Sequence, residues 1–324
     1  MRTCCGSPLA SILLATSVLL AMCLLAVGCG PRHEGAAIVV AAGRGEEADL
    51  LADLTLGLLR ENGYPVQART GLGALSAVRA AIAGGRADLY WAYTAETWRH
   101  SLAHHEPVAD ARVLFERVAL EDGEAGIVWL GPASVASRPT LVVTRDLAEA
   151  GGLRRTSDLV RYQDAVNPYL RVCAPQDMQG LAEGVRGLER VYGLRFERRI
   201  VTLPVGEGYR ALEADECDCA LGHTSDVAVR LGDLTALDDD RRFFPPSELA
   251  LGVRQEQLEA YPDLEALLVR LVEALDEDTL ATLQRQVIVQ EMDRQVAVRA
   301  FLRRNELLPS WPVLSGGWGA RDSG

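Results

Sequence analysis

Ala87-Asp-Leu-Tyr-Trp-Ala-Tyr-Thr94 is an apolar run that stops at a residue suited to starting a helix. Upstream, residue periodicity alternates between strand-like segments (Ala36–Ala42, Tyr64–Arg69, then Ala87–Tyr93) and helix-like ones (Glu46–Glu61, Leu72–Ala83). That alternation predicts a βαβαβ unit with a parallel sheet. In an open parallel sheet the ligand crevice lies beyond the carboxyl ends of the strands. Tyr93 and Thr94 are delivered to that edge, so an aromatic ring followed by a helix start predicts a binding cleft there. Free N–H groups at the helix start suit a carboxylate or other anion.

Working outward, helical segments near Ala109–Leu120 and the apolar Gly126–Leu130 precede Gly131–Pro139, whose Gly, Pro and Ser content marks a crossing point. A second α/β unit follows, with strands at Thr140–Val143, Leu170–Ala174, Arg199–Leu203 and Cys217–Leu221. Its helices lie near Thr156–Tyr162, Leu181–Tyr192 and Gly208–Ala214. Phe243-Phe-Pro-Pro246 opens a return segment. From Gln255 the chain reads as helical: Gln255–Tyr261, Leu264–Leu275, then one long helix over Asp278–Val298 continuing to Leu302. The stripe Leu264, Leu267, Leu268, Leu271, Val272 and Leu275 is a packed core face. The expected organisation is a first lobe over 36–137, a second over 138–242, a return to the first over 243–308 and a tail over 309–324. Two such lobes can close on a ligand by hinge motion.

Residues 1–28 read as a targeting segment. Arg2 supplies a positive start and Ile12–Val27 an apolar run short for a spanning helix. The run ends in Leu25-Ala-Val-Gly-Cys29, which resembles a bacterial lipobox. Cleavage there would leave Cys29 carrying lipid, with 29–35 as a tether; a plain signal peptide or an uncleaved anchor are the alternatives. Removing residues 1–28 takes away the single charge of Arg2, turning a formal −12 into −13. The chain has no lysine and no basic stripe, which argues against nucleic-acid binding.

Outside the cytoplasm a disulfide can persist. If the strands carrying Cys173 and Cys217/Cys219 are neighbours, a Cys173–Cys219 or a Cys173–Cys217 bridge can form; buried free thiols are equally compatible. Cys-x-Cys without a second spaced pair gives no zinc site.

A series of short pieces then resembles a known family. They include Gly63-Tyr-x-Val66, Gly84-x-x-Ala-Asp-Leu-Tyr90, Tyr93-Thr94, Trp129-Leu-x-Pro132 and Leu188-x-x-x-Tyr-Gly-Leu194. Tyr209-x-Ala-Leu212, Gly222-x-Thr224-x-Asp226, Leu237-x-Asp-Asp239 with Phe243-Phe-Pro-Pro246, and Val296-Ala-x-x-x-Phe-Leu302 complete the series. In this order, over roughly Ala37–Leu308, they are similar to the substrate-binding proteins of ABC importers for osmoprotectants such as glycine betaine, choline and carnitine. The resemblance implies a two-lobed, periplasmic-binding-protein-like (type II) α/β fold, each lobe a mainly parallel sheet flanked by helices. It also implies a small-molecule solute as ligand, a permease and an ATPase as partners and no cofactor; with the lipobox-like stretch at Cys29, the expected location is extracytoplasmic and lipid-anchored.

The family holds its quaternary ammonium in a cage of tyrosine faces, which attract a cation that cannot hydrogen-bond. Carried over, the cage positions fall on Tyr93, Pro139, His223 and Ser247. An arginine that takes the ligand's carboxylate falls near Leu181, and a basic residue of the first loop is Arg44. Losing three faces at roughly 1–2 kcal/mol each costs about 3–6 kcal/mol, so a cage this reduced predicts a ligand other than glycine betaine held in the usual way. The expected ligand set is Arg44, Tyr93, Thr94, Pro139, His223 and Ser247, with Trp91 and Trp98 as candidate replacement faces or plain packing.

Other constellations carry less. His100 and His104 stand at i, i+4 but read as a solvated face rather than a metal site. Gly71-x-Gly73 is a turn before a helix. Asp238-Asp-Asp240 lacks alternating calcium ligands. No nucleophile–base set stands out, so the expectation is a binding protein and not an enzyme. The competing reading is a sensor or scaffold lipoprotein that kept the fold without transport.

Overall fold

The computed structural model describes residues 33, 35–104, 106, 108–174, 176–179, 184–196, 199–203, 207–231 and 234–309. The expectations for residues 1–28, for Cys29, for Leu181 and for most of the tail lie outside these. The strands are β1 (Ile38–Ala41), β2 (Val66–Arg69), β3 (Leu89–Tyr93), β4 (Ile127–Leu130), β5 (Pro139–Thr144), β6 (Val172–Ala174), β7 (Ile200–Thr202), β8 (Cys219–His223), β9 (Leu234–Ala236) and β10 (Leu249–Arg254). In the first half the helices are α1 (Glu46–Glu61), α2 (Leu75–Ala83), α3 (Thr94–Glu96, continued by a π-helical turn over Thr97–Ser101) and α4 (Ala111–Glu124). Then come α5 (Arg145–Gly151), α6 (Thr156–Ala165), α7 (Gln176–Gln179), α8 (Val185–Tyr192), α9 (Gly208–Glu213) and α10 (Val227–Leu231). The C-terminal helices are α11 (Gln255–Ala260), α12 (Leu264–Glu273), α13 (Glu277–Gln284) and α14 (Arg294–Arg304). Among the described residues no helix is long and apolar enough to cross a membrane.

Two five-stranded sheets form, ordered β2-β1-β3-β10-β4 and β7-β6-β8-β5-β9. The first, with the helices before β4 and after β10, makes lobe one; the second makes lobe two. The two sheets are built alike. In lobe one, β1, β2 and β3 pair in parallel and β10 inserts antiparallel between β3 and β4. In lobe two, β6, β7 and β8 are parallel and β5 lies antiparallel between β8 and β9. Each sheet is therefore mainly parallel with one reversed strand. The reversal follows from the crossings. Segments 133–137 and 247–249 run past each other, tied by Ala133 N–H to Leu249 O (2.9 Å), Leu249 N–H to Val135 O (3.0 Å) and Ser137 N–H to Ser247 O (3.0 Å). A strand entered straight from a crossing starts at the interlobe edge, where the parallel strands end, and must oppose them.

Packing explains why these elements hold. The α1 face Leu50, Leu54 and Leu58 is buried against β1 and the C-terminal helices, as are Leu264, Leu268 and Leu271 of α12. Each such leucine contributes about 1.5–3 kcal/mol by leaving water. In lobe two, Leu141, Val172, Leu188 and Phe196 form the corresponding core.

Two expectations need correction. The long helix over Asp278–Val298 is broken: α13 ends in a π-helical turn at Arg285–Val289, Glu291 takes φ 52°, and Asp293 accepts a hydrogen bond from Val296 N–H (3.1 Å) to start α14 afresh. Secondly, of the two bridges the sequence left open, Cys173–Cys219 does not form: the disulfide joins Cys173 to Cys217, with Cα atoms 5.7 Å apart, and Cys219 is a buried free thiol. Register decides the partner. Cys219 pairs with Val172 and Ala220 with Cys173, so Cys219 faces away from Cys173 in the pleat. Cys217 precedes β8, free of that alternation, and packs on the Cys173 side.

Candidate functional site

The site is built where β3 of lobe one and β8 of lobe two end. β3 finishes at Tyr93, and α3 begins at once with Thr94. Thr94 N–H donates to Glu248 O (3.0 Å), Glu248 N–H donates to Thr94 Oγ1 (3.1 Å) and Ala95 N–H donates to Ser247 Oγ (3.0 Å). The N–H groups of Thr94 and Ala95, expected to be open to an anion, are thus taken by the returning chain. Thr94 and Ser247 are both buried. They fasten α3 to the crossing segment.

The phenol of Tyr93 crosses to α1, donating to Glu47 Oε1 (2.9 Å), while Gln284 Nε2 of α13 donates to Glu47 Oε2 (3.0 Å). Burial raises the Glu47 carboxyl above its ordinary range, against the lowering pull of the Tyr93 bond, and the negative charges of Asp226 and Glu96 push it further up. Burial likewise lifts the Tyr93 phenol well above its usual value, with the adjacent Glu47 charge adding to the effect. Asp226 belongs to lobe two, so the two lobes share one electrostatic site.

From lobe two, β8 ends at His223 and turns through Thr224-Ser-Asp226. The turn is braced at both sides: Thr224 N–H donates to Arg138 O (3.0 Å), Arg138 N–H to Thr224 Oγ1 (3.1 Å), and the Ser137 and Ser225 hydroxyls bond at 2.8 Å. His223 N–H donates to Asp226 Oδ2 (2.8 Å), and the Tyr209 hydroxyl donates to that same oxygen. Tyr209 reaches it only because residue 222 is glycine; a Cβ there would lie 1.8 Å from the Tyr209 oxygen. Burial, reinforced by the Asp226 charge, raises the Tyr209 phenol far above its ordinary value. His223 then faces lobe one, its Nε2 3.8 Å from Glu96 Oε1 of α3.

The six expected ligand residues thus divide. Tyr93, bonded to Glu47 and beside Ser225 of lobe two, and His223, facing Glu96 of lobe one, stand at the strand ends where the lobes face each other, and Pro139, half-buried at the start of β5, is the cross-strand partner of His223. Thr94 and Ser247 adjoin it but spend the polar groups described above on the crossing. Arg44 is exposed on the loop after β1, its backbone N–H on Gly73 O (3.2 Å), and makes no ion pair among the described residues. The tryptophans pack: Trp91 donates to Thr55 Oγ1 (2.8 Å), and Trp98 stacks on His104 with centroids 3.7 Å apart. His104 in turn holds Glu121 (2.7 Å), and no cluster of three metal-ligating side chains occurs among the described residues. Of the Asp238-Asp-Asp240 run, Asp239 accepts from Phe243 and Phe244 N–H and Asp240 from Ser157 N–H, as turn-bracing carboxylates do.

Sequence reasoning missed Glu47, Glu96, Tyr209, Asp226 and Gln284. Only Asp226 and Tyr209 sat inside quoted motifs; Glu47 and Glu96 lie in the first turns of α1 and α3, where acidic residues are common, and Gln284 carried no signal.

Residues 36–304 match the family model described as the substrate binding domain of ABC-type glycine betaine transport systems. A glycine-betaine-binding protein of Pseudomonas aeruginosa is 30% identical over 278 residues, covering 84% of this chain and 88% of its own. The glycine betaine-binding protein YehZ of Escherichia coli is 25% identical over 266 residues, 80% of this chain and 87% of that one. Among solved structures, a glycine betaine/carnitine/choline ABC transporter protein superposes with a TM-score of 0.71 at 19% identity, over 84% of this chain and 100% of that chain. That last likeness is one of fold.

Proposed function

The chain belongs to the family of substrate-binding domains of ABC-type glycine betaine transport systems, and from that membership we propose that it captures a small cationic or zwitterionic solute between its lobes and hands it to a permease. Its relatives are substrate-binding proteins of importers of the osmoprotectant class, not enzymes, and its fold is that of type II periplasmic binding proteins. In this reading the protein works outside the cytoplasm, held at the membrane by lipid on Cys29, beside an ABC permease and ATPase. Residues 36–137 and 243–308 serve as one lobe and 138–242 as the other.

The observation that carries the reading is the meeting of Tyr93 and Glu96 from lobe one with His223 and Asp226 from lobe two. Such a gap closes around a solute and opens to release it, and each lobe supplies part of the recognition. The tyrosine ring of the family is represented by Tyr93, with Pro139, His223 and Ser247 at the other cage positions. Recognition therefore leans on charge and hydrogen bonds more than on ring faces, and the ligand departs from glycine betaine held in the usual cage.

Ligand-induced thermal shift across a broad metabolite panel, with mass spectrometry of small molecules carried through native purification, tests this. A retained solute that raises the melting temperature is the expected result. A protein that purifies empty and shifts with no compound is instead the sensor or scaffold, with transport lost.

A further inference from the structure

Three carboxylates reach the gap: Glu47 and Glu96 from lobe one, Asp226 from lobe two. Glu47 lies in the field of both others. Among the described residues, the ion-pair partner of Glu96 and of Asp226 is His223, at 3.8 and 3.9 Å, and none of the three carboxylates pairs with an arginine. The side chains of Glu96 and Asp226 keep 41% and 36% of their surface exposed, so both remain open to a solute entering the gap. With His223 alone between them, like charges approaching from two lobes close more favourably when a solute cation enters.

A separate observation points the same way. Gln284 is 1% exposed and its Nε2 is held by Glu47, yet its Oε1, on the same amide carbon, has no donor. A buried carbonyl oxygen is rarely left so. The neighbouring donors are already used: the Tyr93 hydroxyl goes to Glu47 and the Tyr209 hydroxyl to Asp226. Negative charge at the gap is thus backed, beside Glu47, by a buried acceptor that lacks a hydrogen.

We propose that the cleft selects small cations that carry hydrogens on the charged nitrogen, primary or secondary ammonium groups above all, over fully methylated quaternary ammonium. The inference rests on the interlobe gap being the solute site. An N–H cation satisfies Glu96, Asp226 and Gln284 Oε1 with charge-assisted hydrogen bonds. A trimethylammonium head offers none, and would bring no donor to Gln284 Oε1 or to the open carboxylate oxygens while gaining ring-face attraction from few aromatics.

Titration calorimetry with two graded series tests it. One runs from ethanolamine through its N-methyl and N,N-dimethyl forms to choline; the other runs from glycine through sarcosine and dimethylglycine to glycine betaine. Charge and tail stay fixed in each while N–H groups are lost. Affinity is expected to fall at each step of the series that binds, at least tenfold from amine to quaternary ammonium. Glu96→Gln and Asp226→Asn are expected to shrink that ratio at least threefold with the ligand-free melting temperature held within about 3 °C. Affinity that rises with methylation overturns the inference and leaves the solute-binding reading in place. A ratio unchanged in both variants also overturns it, since the carboxylates would not then be reading the head. Silence of all eight compounds overturns it too; the metabolite panel then separates a neutral or anionic solute, which keeps the wider reading, from an empty protein, which removes both.

Discussion

His223 of lobe two stands with its Nε2 3.8 Å from Glu96 Oε1 of lobe one, each side chain about two-fifths exposed (39% and 41%). A pair that open to water is worth at most about 1 kcal/mol, or roughly fivefold in an equilibrium constant. The contact alone can therefore bias lobe closure only slightly. His223→Ala is expected to weaken solute binding by more than about fivefold, because in the proposed site the ring also touches the solute. Calorimetry with a retained solute measures it, and a smaller loss would leave His223 with the closure contact alone.

Ser247 makes a different prediction from the same neighbourhood. Its buried hydroxyl accepts Ala95 N–H and its carbonyl accepts Ser137 N–H, so it joins α3 to both crossing segments. Ser247→Ala leaves a buried N–H without an acceptor, at about 1–3 kcal/mol. Urea unfolding should show that loss while solute affinity stays within about threefold. A variant of normal stability and much weaker binding would return Ser247 to the ligand set.

How far the sequence could be read follows from what each element depends on. The α1 boundaries, Glu46–Glu61, were legible because a 16-residue amphipathic run has enough periods to speak for itself. β10 was not: Leu249-Ala-Leu-Gly-Val-Arg254 is buried on both faces at the middle of a sheet, so it shows no alternation, and it follows Pro245-Pro246. The break before α14 had a readable signal in Asp293, a helix-starting residue masked by the apolar spacing around it. At the site, Tyr93 was legible as the end of an apolar strand, whereas Pro139 and His223 entered only through the family resemblance, since the expected strands stopped short of both. Glu47 and Gln284 come from α1 and α13, and only tertiary packing brings those helices to Tyr93. No local pattern marks a residue whose role is fixed by a contact 237 positions away.

Glu47 gives a pH dependence whose sign is fixed. Its folded-state value is raised above 4.5, chiefly by burial. The folded protein therefore holds that proton more tightly than the unfolded chain does. The associated stability is complete below about 4.5 and is lost as pH rises through the folded value. Thermal unfolding across this range should show the wild type losing ground to Glu47→Gln as pH rises. A gap between the two that does not move with pH would place the Glu47 carboxyl in water instead.

The Cys173–Cys217 bridge closes a loop with a sequence separation of 44. Chain-entropy arguments give such a loop about 4 kcal/mol of stabilisation. Cys217→Ser is expected to lower the unfolding free energy by about 2–4 kcal/mol. Cys219 should behave oppositely: burial pushes its thiol far above the ordinary range, so it is neither ionised nor reachable. Peptide mapping after alkylation should find Cys219 modified only in the denatured protein. Labelling of native Cys219, or a bridge mapped to it, would contradict the register that turns it away from Cys173.

Gly222 and Tyr209 form the sharpest test of how Asp226 is held. A Cβ on residue 222 would meet the Tyr209 oxygen at 1.8 Å and its ring carbons within 3 Å, so the ring must move from the position in which it bonds Asp226. Gly222→Ala should therefore displace Tyr209 and release one support of the carboxylate. Tyr209→Phe removes the same support without crowding. If the shared cause is right, each lowers solute affinity by about tenfold, and the double variant is little worse than either alone. The two changes act on one contact, so their free energies cannot add. Additive losses, or a Tyr209→Phe protein that binds normally, would mean that Asp226 is positioned by the His223 N–H and the Thr224 turn without help from the phenol.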